Sequence, residues 1–189
     1  MYLLKSAKIF SILFFIFAIF SCEDVPSNFK REVYSGPISV VKDFDAKISD
    51  SGRIRYVIIS DVMEELKSGD RRFPKGMLIE TKNQKQQIES TLESDSAYFN
   101  KQKQLWTLRH NVVLQNIQTG ERLQTDELYW DMTAPDSTNV YVKPSTYVEI
   151  KNGDQVFHGY GLRTSQDFEE YEILNLEGIL EVSDEEQEK

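Results

Sequence analysis

LQTDELYWD, Leu123 to Asp131, is preceded by a relaxed copy of itself, LESDSAYFN, at Leu92 to Asn100. The copies stand 31 residues apart and pair Leu123 with Leu92, Gln124 with Glu93, Thr125 with Ser94, Asp126 with Asp95, Tyr129 with Tyr98, Trp130 with Phe99 and Asp131 with Asn100. A period in this range marks one supersecondary unit used more than once, because a single unit cannot bury its own apolar face. The unit is a strand pair. Between the copies, Trp106, Leu108, Val112 and Leu114 share one parity while Thr107, Arg109 and Gln115 take the other, which is period two and not 3.6.

The same alternation runs outward in both directions. RIRYVII, Arg53 to Ile59, sets Ile54, Tyr56 and Ile58 against Arg53 and Arg55, and Asp50-Ser51-Gly52 supplies a turn before it. ISDVMEELKSG, Ile59 to Gly69, reads as a continuing strand and a loop in preference to a helical turn. From Met77 the chain reads as strand after strand, with turn signals at Asn100-Lys101, Asn116 to Gly120, Pro135-Asp136 and Asn152-Gly153-Asp154. Short strands punctuated every 8 to 12 residues or so predict an antiparallel sandwich, jelly roll or barrel.

With 189 residues, 40% of them apolar, the chain supports one β domain with a real core. The expected division is a signal peptide or membrane anchor over 1–21, a tether over 22–42, the β domain over 43–183 and an acidic tail over 184–189. The net charge of −9 disfavours nucleic acid, whose phosphates would repel the chain. Lys67 to Arg109 departs from this balance with nine basic residues against five acids, a mixed run that ordinarily forms a solvated face. One cysteine and two histidines give no internal disulfide and too few ligands for a Cys/His metal site, so no metal or cofactor is expected.

The apolar run Ile9 to Phe20 is short for a membrane-spanning helix and suits the core of a secretory signal. It ends in IFSC, and a small residue before a cysteine resembles a bacterial lipobox, which makes Cys22 the expected lipidation site. An uncleaved anchor and plain secretion are the alternatives. Lipidation with more than one acyl chain would hold the protein firmly on a membrane, outside the cytoplasm.

Asp126, Glu127 and Asp131 are the only tempting catalytic carboxylates, yet acids beside turns are common and no catalytic residue is assigned. Tyr98, Phe99, Tyr129 and Trp130 can be read as sugar-stacking platforms of a carbohydrate-binding surface lipoprotein, or as core. An inward-facing Trp130 decides against the first reading.

LWTLRHNVVLQNIQTGERLQTDELYWD, Leu105 to Asp131, also resembles the W-x-L-x-x-N-V pattern followed by G-E-x-L-x-T-(D/E)-x-L-x-(W/Y)-(D/N) of the LptC family, the membrane-anchored component of lipopolysaccharide export. GRIRYVIISDVM, Gly52 to Met63, is similar to that family's first strand, and HGYGLRTSQDFEEYEILNLEGIL, His158 to Leu180, to its closing strands, with Gly159 and Gly161 as the closing glycines. The resemblance implies an antiparallel, open-ended, OstA-like β-jellyroll in the periplasm, anchored at the inner membrane. It implies four partners: lipopolysaccharide, the inner-membrane ABC transporter subunits, a periplasmic bridge protein of like fold and the membrane itself. The lipid-groove lining then falls on the inward parity: Ile54, Tyr56, Ile58, Trp106, Leu108, Val112, Leu114, Leu128 and Trp130, with Val148 and Ile150 beyond.

Overall fold

The computed structural model describes residues 34–178. The segment 1–21, Cys22, much of the tether and the tail 184–189 lie outside the described residues. Eleven strands follow in chain order: β1 (Ser39–Asp50), β2 (Arg53–Glu65), β3 (Arg71–Phe73), β4 (Met77–Lys82), β5 (Ile88–Ser94), β6 (Ser96–Asn100), β7 (Leu105–Asn116), β8 (Arg122–Asp131), β9 (Val140–Asn152), β10 (Gln155–Thr164) and β11 (Tyr171–Glu177). All pairings are antiparallel, and the order is β11-β10-β9-β8-β7-β5-β4-β2-β3-β6, with β6 also on β7 and β1 on β2. The ISDVM stretch continues β2 to Glu65 as a strand.

This single sheet is a β-jellyroll because it folds onto itself along one transverse crease. In β8 the inward residues are Leu123 and Thr125 before the crease but Leu128 and Trp130 after it, so the parity changes between them. An extra residue at this point flips which face the following side chains take. The crease crosses the neighbouring strands in register. It separates β3 from β4 at Pro74 to Gly76 and β5 from β6 at Asp95. It passes through β7 at His110 and Asn111, whose φ values are 63° and 49°, where two residues oppose one of β8. In β9 it takes up surplus residues around Pro144, and in β10 it reaches Gly161, φ 72°.

A folded sheet forgoes ladder hydrogen bonds at the bend, and buried backbone carbonyls need other donors. Side-chain hydroxyls supply them. Thr125 Oγ1 donates to the Tyr147 carbonyl at 2.7 Å and Ser94 Oγ to the Ser96 carbonyl at 3.0 Å. Ser60 Oγ donates to the Gly76 carbonyl at 2.6 Å. The third case reveals a third copy of the repeat, Ile58-Ile59-Ser60-Asp61-Val62-Met63, aligned with Leu92 to Ala97 and Leu123 to Leu128. In all three an apolar residue, a buried hydroxyl and a second apolar residue face inward, and the Asp stands at the bend. The repeat therefore encodes a bent strand.

Close packing of β10 against β9 and β11 requires glycine. A Cβ on Gly161 would stand 2.8 Å from Pro144 Cα, and one on Gly159 only 2.5 Å from the Asn175 carbonyl oxygen. Gly161→Ala is expected to cost about 3 kcal/mol, from a positive φ together with the clash. Gly52→Ala, at φ 78° in the β1–β2 turn with nothing within 4 Å, should cost only about 1 kcal/mol. Urea denaturation of the two variants reads the difference.

Candidate functional site

The residues expected to line a lipid groove converge in the interior of the folded sheet. Leu108, Val112, Leu128, Val148 and Ile150 are wholly buried, and Ile58, Trp106, Leu114 and Trp130 nearly so. All nine belong to one continuous hydrophobic cluster, against which Tyr56 packs half-buried. Ile54, near the start of β2, is half-buried as well. The cluster spans both halves of the sheet. Tyr56, before the crease in β2, meets Trp130, after the crease in β8, edge to face with ring centroids 5.0 Å apart, a geometry worth about 0.5–1.5 kcal/mol beyond its area. The interior is filled by its own side chains, Leu123, Val142, Leu162 and Phe73 among them. Strict alternation omits Leu123 because it lies on the other side of the parity change.

Opposite the crease, the strand ends of the two halves form two rims, and the loop Ser165 to Glu170 bridges them. It leaves β10 on one rim and reaches the other, where Tyr56 Oη donates to Gln166 Oε1 at 2.8 Å and Ser90 Oγ to the Gln166 carbonyl at 2.7 Å. Asn116 Nδ2 donates to the Asp167 carbonyl at 3.0 Å. Phe168, with φ 56°, turns its ring fully into the core, where it stacks on Tyr171. Nothing in TSQDFEEY marks this closure except an aromatic among polar turn residues.

The outer face at the crease carries a polar network. Glu127 accepts hydrogen bonds from Tyr129, from Arg109 Nε at 2.6 Å and from Lys143 Nζ at 3.2 Å. Lys143 also stands 4.5 Å from the centroid of the Tyr129 ring, which stacks on Tyr141. Partial burial pushes the Glu127 carboxyl up, but the bonds from Tyr129, Arg109 and Lys143 outweigh it and hold the group at about 2. The network ties β7, β8 and β9 together just beyond the bend.

The carboxylates are not brought together for catalysis. Asp126 lies at the crease beside His110 Nδ1, 3.4 Å away, whereas Asp131 holds the Thr133 turn at the strand end. Five residue steps along the strand place them roughly 15 Å apart, beyond the spacing of about 5–10 Å that paired carboxylates need for glycoside hydrolysis. Trp130 is 3% exposed and inward, so it offers no stacking platform for sugar. Among the described residues no group of three or more His, Cys, Asp or Glu can hold a metal ion. The basic run disperses: Arg72 pairs with Glu64 and Arg109 with Glu127, while Lys82 and Lys85 join Arg55 around an outer crevice of about 680 Å³.

A family model described as lipopolysaccharide-assembly, LptC-related matches residues 9–177. Among curated proteins the chain has no match.

Because the Glu127 carboxyl is held low in the folded state, its stabilisation is fully present above the ordinary carboxylate range and is lost as pH falls through about 2. Glu127→Gln should lower stability at pH 7 by about 1–2 kcal/mol, limited by the exposure of Arg109 and Lys143. Its stability should fall less steeply than that of the parent chain between pH 4.5 and pH 2, as thermal melting across this interval would report.

Proposed function

The chain belongs to the LptC-related family of lipopolysaccharide assembly, and on that premise we propose that its β-jellyroll is a non-catalytic carrier for lipid A acyl chains. The chains travel between the two half-sheets, from the inner-membrane ABC transporter toward a periplasmic bridge protein of the same fold. The N-terminal segment, through Cys22 or as an uncleaved helix, holds the domain at the inner membrane. β1 and β11, the first and last strands of the described sheet, are the edges at which a neighbouring sheet can continue. Gly159 and Gly161 serve that assembly by letting β9, β10 and β11 approach closely at the closing end.

The observation that supports this reading best is the single apolar interior shared by two half-sheets whose strands are continuous along only one side, the other side being spanned by the Ser165 to Glu170 loop. Each acyl methylene transferred there contributes roughly 0.8 kcal/mol, so several chains outweigh any one polar contact. Parting the halves exposes the same residues that now pack on one another, which makes the packed interior the resting state of the carrier.

A photo-crosslinking residue at Trp106 or Leu128 in living cells tests the proposal. Crosslinks to lipopolysaccharide that depend on ATP are expected, and their absence from every inward position would sink it. Leu128→Asp places a charge against the wholly buried interior and should block passage or unfold the domain. Normal export by a folded Leu128→Asp protein would contradict the groove assignment.

A further inference from the structure

Beneath the Ser165 to Glu170 loop, two buried polar atoms have no partner: Trp130 Nε1, a donor, and Asn139 Oδ1, an acceptor. Trp130 is 3% and Asn139 2% exposed. An unpaired buried polar group is costly, and such groups are rare in folded proteins. The two belong to adjoining positions, for Trp130 pairs with Val140 across β8 and β9 and the next backbone bond runs from Asp131 N to the Asn139 carbonyl. They also share the loop's own anchor: Gln166 Oε1 accepts from Asn139 Nδ2 at 3.3 Å and from Tyr56 Oη, and the Tyr56 ring abuts Trp130. Two residues on from Gln166 in the same loop, Phe168 buries an apolar ring in the core, stacked on Tyr171, from a left-handed backbone position, which costs a non-glycine residue free energy.

The geometry points to a binding site for an amide-linked acyl chain under this loop, with Phe168 as its resident occupant. The assignment rests on the carrier reading above and names a point of attachment within it. The tail takes the place of the Phe168 ring in the apolar cluster. The acyl carbonyl oxygen accepts from Trp130 Nε1, and the amide N–H donates to Asn139 Oδ1. One linkage thus satisfies both orphaned atoms, which a bare hydrocarbon cannot do. Release of Gln166 from Tyr56, Ser90 and Asn139 and of Asp167 from Asn116 frees the loop to swing off the rim. The loop is in this account a self-ligand that a lipid displaces, and the polar pair distinguishes a chain carried on an amide from any other apolar molecule.

The test uses the full chain held in amphipol and two dansyl probes with the same twelve-carbon tail, one joined through an amide and one through an ether, titrated by fluorescence anisotropy. The parent chain should prefer the amide by about tenfold, the worth of one to two net hydrogen bonds. Trp130→Phe, which keeps an aromatic ring and removes the donor, and Asn139→Leu should each cut that preference several-fold, with folding checked by thermal melting. Phe168→Ala should tighten both probes equally while lowering the melting temperature. Equal affinity of the parent chain for the two probes would overturn the site, as would an amide preference that survives both polar variants or a Phe168→Ala protein that binds both probes more weakly. Lipopolysaccharide crosslinking at position 106 alongside any of these results would leave the carrier reading standing and remove only the acyl site.

Discussion

Everything in this fold depends on the bend that turns one eleven-stranded sheet against itself. A flat sheet of this composition would leave an apolar face in water. The crease lets the two halves of that face cover each other, so that Tyr56 and Trp130, on opposite sides of it, come into ring contact. The bend interrupts the backbone ladder, and three buried hydroxyls, Ser60, Ser94 and Thr125, donate to carbonyls beside it. On the outer side, where water competes, charged groups take over: Glu127 gathers Arg109 and Lys143, Asn111 Nδ2 donates to Asp95 Oδ2 at 2.6 Å, and His110 meets Asp126.

Strands and turns were legible because alternation is a local property, and nearly every predicted strand from Arg53 onward is found. The repeat was legible as a repeat, but its meaning was not. A serine or threonine followed by aspartate between two apolar residues of opposite parity is a signal for a bent strand only once the bend is known. For the same reason the copy at Ile58 to Met63 escaped notice, since its aromatic tail is missing. Leu123 escaped as well, because alternation counted back from Leu128 and Trp130 assigns it to the wrong face. The loop Ser165 to Glu170 was hidden for a different reason: its contacts to Tyr56, Ser90 and Asn116 lie 51 to 110 residues away along the chain, beyond any local pattern.

For a carrier, a packed interior and a lipid-filled one must lie close in free energy. The folded sheet suits this, because the halves are covalently continuous only along the crease and are held on the other side by a loop with a few neutral hydrogen bonds. A neutral bond of this kind contributes about 1 kcal/mol net, while acyl chains bring roughly 0.8 kcal/mol per methylene. Exchange of self-packing for lipid packing then needs no large change in the strands themselves. In the proposed carrier the crease network on the outer face would keep the hinge side intact while the rim side opened.

The distance between the two halves of the sheet is the most direct measure of this account. Nitroxides attached through unnatural residues at Lys85, in the β4–β5 turn, and Lys103, in the β6–β7 turn, exposed positions on the two rims, leave Cys22 native. Pulsed electron paramagnetic resonance on the full chain, with and without lipopolysaccharide, should show one narrow distance that shifts by several ångströms and broadens when lipid is present. Saturating lipopolysaccharide that binds the chain and leaves this distance unchanged would contradict opening of the folded sheet.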